Sequence, residues 1–599
     1  MEYQFKLIIL TIWIPQAIRQ LTSWIYWLQL KEYRFDRFKI LFKGKDGRKN
    51  LFFELILLKL GLIVFAVSYF KQIFLPSLIF LLLDLILFWD LFKKRLKKPV
   101  ITKRIINIFL ISLALFLIAI YLFWDRGIFS FIFVLELTLL LAPLFGVLIT
   151  QLISNRVKKR EIEKAKKLLQ KVKPLVIGVT GSYGKTTTKE FIAQLLSQKY
   201  KVAKTPTSQN TEFGIIRSIF ANLRKDTEIL VVEMGAYKKG EIESICKIVK
   251  PEIGVVTGIE PQHLELFGSL ENIKKAKYEL IESLPKKGMA LFNLTNKLCF
   301  ELFQKAKKAK KDLKVFGYYL ENPFHSPSQK TTIVRSWVNA KNIVLRRDFA
   351  PDEAMHHTVL PEASGEDTSS ISSGELHKDG ISESNIYLSF EGIKAKFISM
   401  DSSGLVFETK LSNSKTVNRL SVPFLAGHFL ENLLAAIYLA RKLGVSWSNI
   451  EKGCKSLRLP EKTMNLSRLK NGNIVIDDTL NSTPKGFESA LTFLAFVKRK
   501  KKIIFTTGII ELGEFSDRVH RNLGKMMKRI ASKVILRNKD FERSIRNGLG
   551  ERSGILVVID DIDKLTREFL TLTQEPDSAI LLEGKLPQAL TEKLGSLRK

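Results

Sequence analysis

Gly178-Val179-Thr180-Gly181-Ser182-Tyr183-Gly184-Lys185-Thr186-Thr187 follows the apolar run Leu175 to Val179 and leads into a helical pattern. Glycines let backbone N–H groups close around phosphate, and the positive end of the following helix favours the anion. Lys185 can reach the outer phosphates, and the Thr186 hydroxyl suits Mg²⁺. One departure from the commonest phosphate-loop spacing is Val179, which stands where a glycine is usual. Strand, loop and helix in this order predict a nucleotide-binding α/β unit.

The residues downstream extend that unit. Ile229 to Val232, Ile253 to Thr257 and Met289 to Phe292 are short apolar runs between helical or turn segments, an alternation that predicts a largely parallel sheet covered by helices. Glu233 ends one run, and His263 follows another. Carboxylate or imidazole at the C-terminal edge of such a sheet can supply ligands to the metal of a phosphoryl-transfer site.

Working towards the N-terminus, five apolar stretches precede residue 155, at about 7–30, 51–70, 74–92, 105–124 and 128–153. Each approaches the roughly 20 residues a helix needs to cross a bilayer. Lys31, Arg34, Arg37, Lys39 and Lys43 follow the first, Lys93 to Arg95 with Lys97 and Lys98 follow the third, and Arg156 to Arg160 follow the fifth. Positive charge on alternate loops orients them to the cytoplasm and carries everything after residue 157 with them. Pro15, Gln16, Arg19 and Gln20 interrupt the first stretch, so it either spans or lies in the interface, giving four or five spans.

A net charge of +36 invites comparison with nucleic-acid-binding proteins, but much of the excess sits in these juxtamembrane loops, which favours anionic lipid over nucleic acid. Cys246, Cys299 and Cys454 show neither metal-ligand nor disulfide spacing, as expected in a reducing compartment.

A charged helical linker at 156–173 leads to a central domain over 174–458, interrupted by a Ser-, Glu-, Asp- and His-rich insertion at 350–384 whose composition predicts disorder. A second α/β domain is expected over 459–599, with strands near 474–476, 502–506, 533–536 and 579–582.

Taken in order, the phosphate loop, Asn210-Thr211-Glu212-Phe213-Gly214, Glu233-Met234-Gly235-Ala236, Pro261-Gln262-His263-Leu264-Glu265 and Ala276-Lys277-Tyr278-Glu279 resemble the successive motifs of Mur ligases. Within that family, Gly240-Glu241-Ile242, Leu264 to Ser269, and Glu511-Leu512-Gly513 with His520 resemble most the ligases that add D-alanyl-D-alanine. The resemblance implies a phosphate-loop central domain with a parallel sheet and a Rossmann-like C-terminal domain, placed after an α-helical membrane region at 1–155. By the same resemblance, Thr180 to Thr187 bind ATP together with Asn293, His428 and Asp478. Thr186, Glu233, His263 and a carbamylated Lys277 hold Mg²⁺, with Lys185, His263 and Lys277 as the catalytic set. Unmodified, Lys277 would instead contact the γ-phosphate. Asn210, Glu511 and His520 fall on the substrate side. Asp477-Asp478-Thr479-Leu480-Asn481-Ser482-Thr483-Pro484 resembles the C-terminal motif that meets the ribose, but Leu480 and Thr483 replace a usual Tyr and Asn.

The implied activity is amide-bond formation in peptidoglycan precursor synthesis: a muramoyl-peptide carboxylate, activated as an acyl phosphate, is attacked by an amine such as D-alanyl-D-alanine. The family's usual N-terminal sugar-nucleotide domain is replaced by the apolar region. The acceptor is therefore expected to be nucleotide-linked and gripped by a partner among the cell-wall synthesis proteins, or lipid-linked and concentrated by the bilayer. Two rival readings are another membrane-associated amide ligase, of poly-γ-glutamate type, and a non-catalytic nucleotide-binding membrane scaffold.

Overall fold

The computed structural model describes residues 2–30, 33, 99–206, 209–309, 312–321, 390–401, 404–424, 427 and 429–597. The apolar stretches at 51–70 and 74–92, the insertion at 350–384 and His428 lie outside them. The chain divides into two compact units, Met1–Glu161 and Ile162–Lys599.

In the first unit, α1 (Glu2–Leu30) runs unbroken through Pro15 and α2 (Lys103–Phe123) is capped by the Thr102 hydroxyl; α3 (Ile128–Val172), which contains Pro143, starts there and runs past the unit's last residue. Among the described residues two helices are long and apolar enough to cross a membrane, α2 and the Ser130–Val172 part of α3. α1 is not one of them. It instead buries a stripe, Trp13, Ala17, Leu21, Trp24 and Leu28, in a cluster with Phe131, Ile132 and Leu135 of α3, and Trp13 Nε1 donates to Glu136 at 2.9 Å. The fifth apolar stretch and the charged linker, separate on composition, form one 45-residue helix, because no Gly or Pro punctuates the change from apolar to charged residues near 153–160.

The second unit is built on a nine-stranded sheet of order β2-β3-β1-β4-β5-β6-β7-β8-β9. Its strands are β1 (Leu175–Thr180), β2 (Val202–Lys204), β3 (Ile229–Glu233), β4 (Ile253–Val256), β5 (Met289–Asn293), β6 (Lys314–Glu321), β7 (Gly392–Asp401), β8 (Gly404–Leu411) and β9 (Val417–Val422). Both faces of β1 are covered: Ile177 and Val179 join a core with Phe191, Ile192 and Leu195, whereas Val176 joins a second with Ile242, Ile245 and Leu280. Burial on both faces explains why β1 reads as an unbroken apolar run rather than an alternation. Strands β1 to β7 pair in parallel, as expected, but β7-β8-β9 is an antiparallel meander. Only two residues separate β7 from β8, too few for a parallel crossover, and Gly404 opens β8 at φ +142°.

Helices α4 (Lys185–Leu196), α5 (Glu212–Asn222), α6 (Glu241–Val249), the short α7 (Leu264–Phe267), α8 (Leu270–Glu282) and α9 (Lys297–Ala309) alternate with the strands, and α10 (Phe429–Lys442) and α11 (Trp447–Lys455) follow them. A six-stranded sheet of order β10-β11-β15-β12-β13-β14 completes the unit, with β10 (Asn465–Arg468), β11 (Ile474–Asp478), β12 (Lys501–Thr506), β13 (Lys533–Leu536), β14 (Leu556–Val558) and β15 (Ser578–Glu583). Helices α12 (Pro484–Phe496), α13 (Ser516–Ile530), α14 (Glu542–Leu549), α15 (Ile562–Gln574) and α16 (Gln588–Leu597) cover it. Strands β2, β6, β9, β10 and β14 are not among those read from the sequence; Val417–Val422, for instance, alternates with Asn418, Arg419 and Ser421.

Candidate functional site

The register Val179↔Glu233 between β1 and β3 sets the phosphate loop beside the end of a neighbouring strand. Gly181, at φ +156°, packs so closely on Thr257 that a Cβ would collide with its Oγ1, and Gly184, at φ +74°, lies against Asn432 in the same way. These positions need glycine for both conformation and space. Ser182 N donates to Gly258 O at 2.6 Å, Ser182 Oγ to Glu260 O at 3.0 Å and Thr180 Oγ1 to Met234 O at 2.9 Å. Lys185 Nζ is folded onto its own loop, donating to Gly181 O at 2.7 Å and Ser182 O at 2.9 Å. Burial lowers its pKa, and the Glu233 carboxylate opposes that shift. A cation satisfied by two neutral carbonyls can exchange them for phosphate oxygens, which accept stronger charge-assisted hydrogen bonds.

The loop opens on a cavity of ≈ 360 Å³. It brings together Ser182 to Thr187, Asn210, Glu233, His263, Lys277 and Asp478, residues spread over almost three hundred positions of sequence. Glu233 is 1 % exposed; one oxygen accepts from Asn210 Nδ2 at 2.9 Å, and the other faces Lys189 Nζ at 3.3 Å. Lys189 has no exposed side-chain surface and also meets Glu190 at 3.4 Å. It lies one helical turn beyond Lys185, so the 3.6-residue period of α4 carries both lysines to the β3 edge. That spacing was visible in the sequence, yet the sequence reading passed over Lys189.

Lys277 is buried on α8, its Nζ 5.7 Å from the centre of the Phe267 ring. Burial first, and then the Lys185 charge, lowers its pKa to about 7. His263 pairs through Nδ1 with the Glu511 carboxylate and lies 4.7 Å from the Tyr237 ring, centre to centre. Burial holds its pKa below the ordinary value, against the pull of Glu511. Both partners adopt left-handed backbone, φ +55° at His263 and +64° at Glu511, and Leu264 N donates to Glu511 O at 3.1 Å. Two strained residues meeting across the domain boundary is the pattern expected where geometry is held for function. A second cross-boundary contact joins Lys485 Nζ to Glu431 at 3.0 Å and to the Tyr183 hydroxyl at 3.3 Å.

Other expected site residues stand elsewhere. Asn293 is 1 % exposed and does not line the cavity; its amide donates to Thr257 O at 2.8 Å and Glu431 at 2.9 Å. His520, fully buried, accepts from Ile509 N at 3.0 Å and donates from Nδ1 to Ser516 O at 2.7 Å. Its place is behind the 509–511 loop, which it braces for Glu511. Thr180 and Gly181 support the loop from behind the cavity wall. Glu431, Lys485, Tyr237 and Lys585 line or guard the cavity without a local sequence signal, because each arrives from a separate element.

Mg²⁺ favours hard oxygen donors and keeps several waters, taking one or two protein carboxylates beside substrate phosphates. Among the described residues no group of three or more His, Cys, Asp or Glu is placed to hold a metal. The donors facing this cavity fit the sparser pattern: Glu233 retains free lone pairs beyond its two partners, Thr186 offers a hydroxyl, and His263 keeps Nε2. Lys277 fits only as an N-carboxylate, since an ammonium has no lone pair.

The Mur ligase middle domain model matches residues 179–346. The UDP-N-acetylmuramoyl-tripeptide--D-alanyl-D-alanine ligase of Synechocystis sp. is 26% identical over 353 residues, 59% of each chain, so the chain spans about three fifths of the length of that relative. The MurF of Acinetobacter baumannii superposes with a TM-score of 0.54 at 21% identity, covering 73% of this chain and 80% of that one. The MurF ligase of Thermotoga maritima in complex with ADP gives a TM-score of 0.52 at 22% identity, covering 73% and 83%. With the matched middle domain, these relatives and a shared fold around one cavity, residues 179–346 form a Mur ligase middle domain and the chain is similar to MurF ligases, its N-terminal region differing from their substrate domain.

Proposed function

We propose that the chain is an ATP-dependent ligase that converts a muramoyl-peptide carboxylate to an acyl phosphate and joins it to an amine such as D-alanyl-D-alanine. The observation that carries this reading is the convergence of Lys185, Thr186, Glu233, His263 and Lys277 on one cavity closed by the second domain. A carboxylate is a poor electrophile. Transfer of the γ-phosphoryl group makes phosphate the leaving group, and the amine nitrogen then attacks the carbonyl carbon, loses a proton and expels phosphate. Lys185 would offset negative charge on the phosphoryl oxygens as it leaves the loop carbonyls. Bound Mg²⁺ would neutralise phosphate charge, held by Glu233, Thr186, His263 and carbamylated Lys277. The His263–Glu511 and Lys485–Glu431 contacts would keep the domains closed and water excluded during the acyl phosphate's lifetime.

The two apolar helices support a membrane location, and the basic residues that follow alternate apolar stretches favour a cytoplasmic catalytic unit. Phosphate release from ATP by the full chain, with D-alanyl-D-alanine, other amines or none, tests the reading. Nucleotide-linked and lipid-linked muramoyl peptides serve as alternative acceptors. Release that requires both acceptor and amine supports a ligase, and release indifferent to the amine removes it. Preference for the soluble acceptor would remove a role for the bilayer in presenting it.

The amine of Lys277 must be neutral to capture CO₂, and a pKa of about 7 makes that form abundant at neutral pH. With ¹³C-bicarbonate at pH 8 a carbamate resonance is expected that is absent from Lys277→Arg and fades below pH 6.5. Its absence from the wild type at pH 8 would leave Lys277 as a phosphate contact.

A further inference from the structure

We propose that Glu583 shares a proton with Asp478 and so acts as a positioning residue for the cavity wall, an inference that rests on the nucleotide reading of that cavity. The two residues are register partners at the ends of the adjacent parallel strands β11 and β15. Asp478 lines the cavity; Glu583 lies behind it with no exposed surface. One Glu583 oxygen accepts from Ser482 Oγ at 2.6 Å. The other is buried and receives no donor, and its neighbour is the Asp478 carboxyl. Asp478 in turn accepts from Met464 N at 3.1 Å through Oδ1.

Two ionised carboxylates in this position would repel each other in a medium that screens poorly, and each would lack a donor for the facing oxygen. One proton removes both problems, turning an O···O contact into O–H···O⁻. Among the described residues, none of the groups that shift the pair is a cation. Asp477, from the same strand, adds negative charge at Asp478, and its own carboxylate accepts from Thr479 N at 3.3 Å and Oγ1 at 2.6 Å. From β12 the register partner of Glu583 is the uncharged Thr506, and Lys585 turns to the cavity. Burial raises Asp478 to about 7 and Glu583 well above the carboxylate range. The pair therefore carries one negative charge rather than two where a polyanionic nucleotide must bind, and it anchors the Asp478 carboxyl in the cavity wall. The step at Asp478 leaves the pair with this one proton, held on Glu583; when rising pH strips that proton too, the charges separate and the wall loosens.

The test uses the full chain in detergent, with binding of a fluorescent ATP analogue and thermal unfolding both followed from pH 6 to 9. Wild-type affinity is expected to fall by up to tenfold for each pH unit above the loss of the shared proton, since one proton is linked to binding. Glu583→Gln, whose amide donates to Asp478 without ionising and whose carbonyl can still accept from Ser482, should hold its pH 7 affinity throughout. For stability the sign is set by the raised folded-state pKa. The folded pair holds its proton more tightly than the unfolded chain, so unfolding temperature drops as pH climbs from the ordinary carboxylate range through the pair's pKa. In Glu583→Gln and Asp478→Asn that decline should flatten. Parallel wild-type and variant unfolding profiles would overturn the proton-sharing pair. If the profiles diverge but ATP binds at no pH, the pair stands and the nucleotide reading of the cavity fails.

Discussion

Replacing Lys185 with alanine is expected to lower kcat for amine-dependent phosphate release by about a thousandfold, the scale on which one preorganised charge at a transferring group acts. Lys185 is the cation built into the phosphate loop itself, and its partners in the structure are two neutral carbonyls. Its loss leaves the loop's fold with glycines and backbone hydrogen bonds that do not involve Nζ. The unfolding temperature should therefore stay within a few degrees of wild type while turnover disappears. Steady-state phosphate release alongside thermal unfolding checks both halves. Retention of more than a tenth of the wild-type kcat would mean that another group neutralises the γ-phosphate, and the loop would lose its assigned role.

The second large effect is expected on stability. In Lys189→Ala the Glu233 carboxylate, 1 % exposed, keeps Asn210 as a donor but loses its cation, and Glu190 retains only Lys204. Removing one member of a buried ion network typically costs about 3–5 kcal/mol because the remaining charge is stranded in a medium that cannot solvate it. A drop of that order in urea-unfolding free energy is expected for Lys189→Ala, and Lys189→Met, which restores volume without charge, should recover only part of it. The exposed pair Lys201–Asp226 provides the contrast: Lys201→Ala should leave the urea midpoint unchanged, since solvent screens such pairs. Equal midpoints for Lys189→Ala and wild type would show that Glu233 is held by other means. Since Glu233 is expected to face Mg²⁺, activity should fall along with stability, but the stability change is readable without nucleotide.

Legibility in the sequence followed the range of the interactions. The phosphate loop was readable because a strand, three glycines and a lysine lie within ten residues, and the loop's backbone conformation is set by those residues themselves. Glu233 was readable as a strand-edge position for the same reason. His520 was placed on the substrate side because a motif was read as a flat string, whereas the structure shows it bracing the loop that presents Glu511. Asn293 likewise reads as a ligand contact but is consumed by Thr257 and Glu431 inside the protein. The continuous α3 was divided at the composition change because hydropathy, unlike backbone hydrogen bonding, changes there.

The sequence by itself determined the order of α/β units, the phosphate loop and the apolar N-terminal region, since propensity, periodicity and glycine placement act over a turn or a strand. Only the tertiary structure decided that Lys189 backs Glu233, that Glu511 reaches His263 from the second domain, and that Asp478 and Glu583 end side by side on β11 and β15. Those contacts join residues 44, 248 and 105 positions apart. Their existence depends on strand register and on how the two sheets close over the cavity, which the packing of the whole core sets and no local pattern encodes.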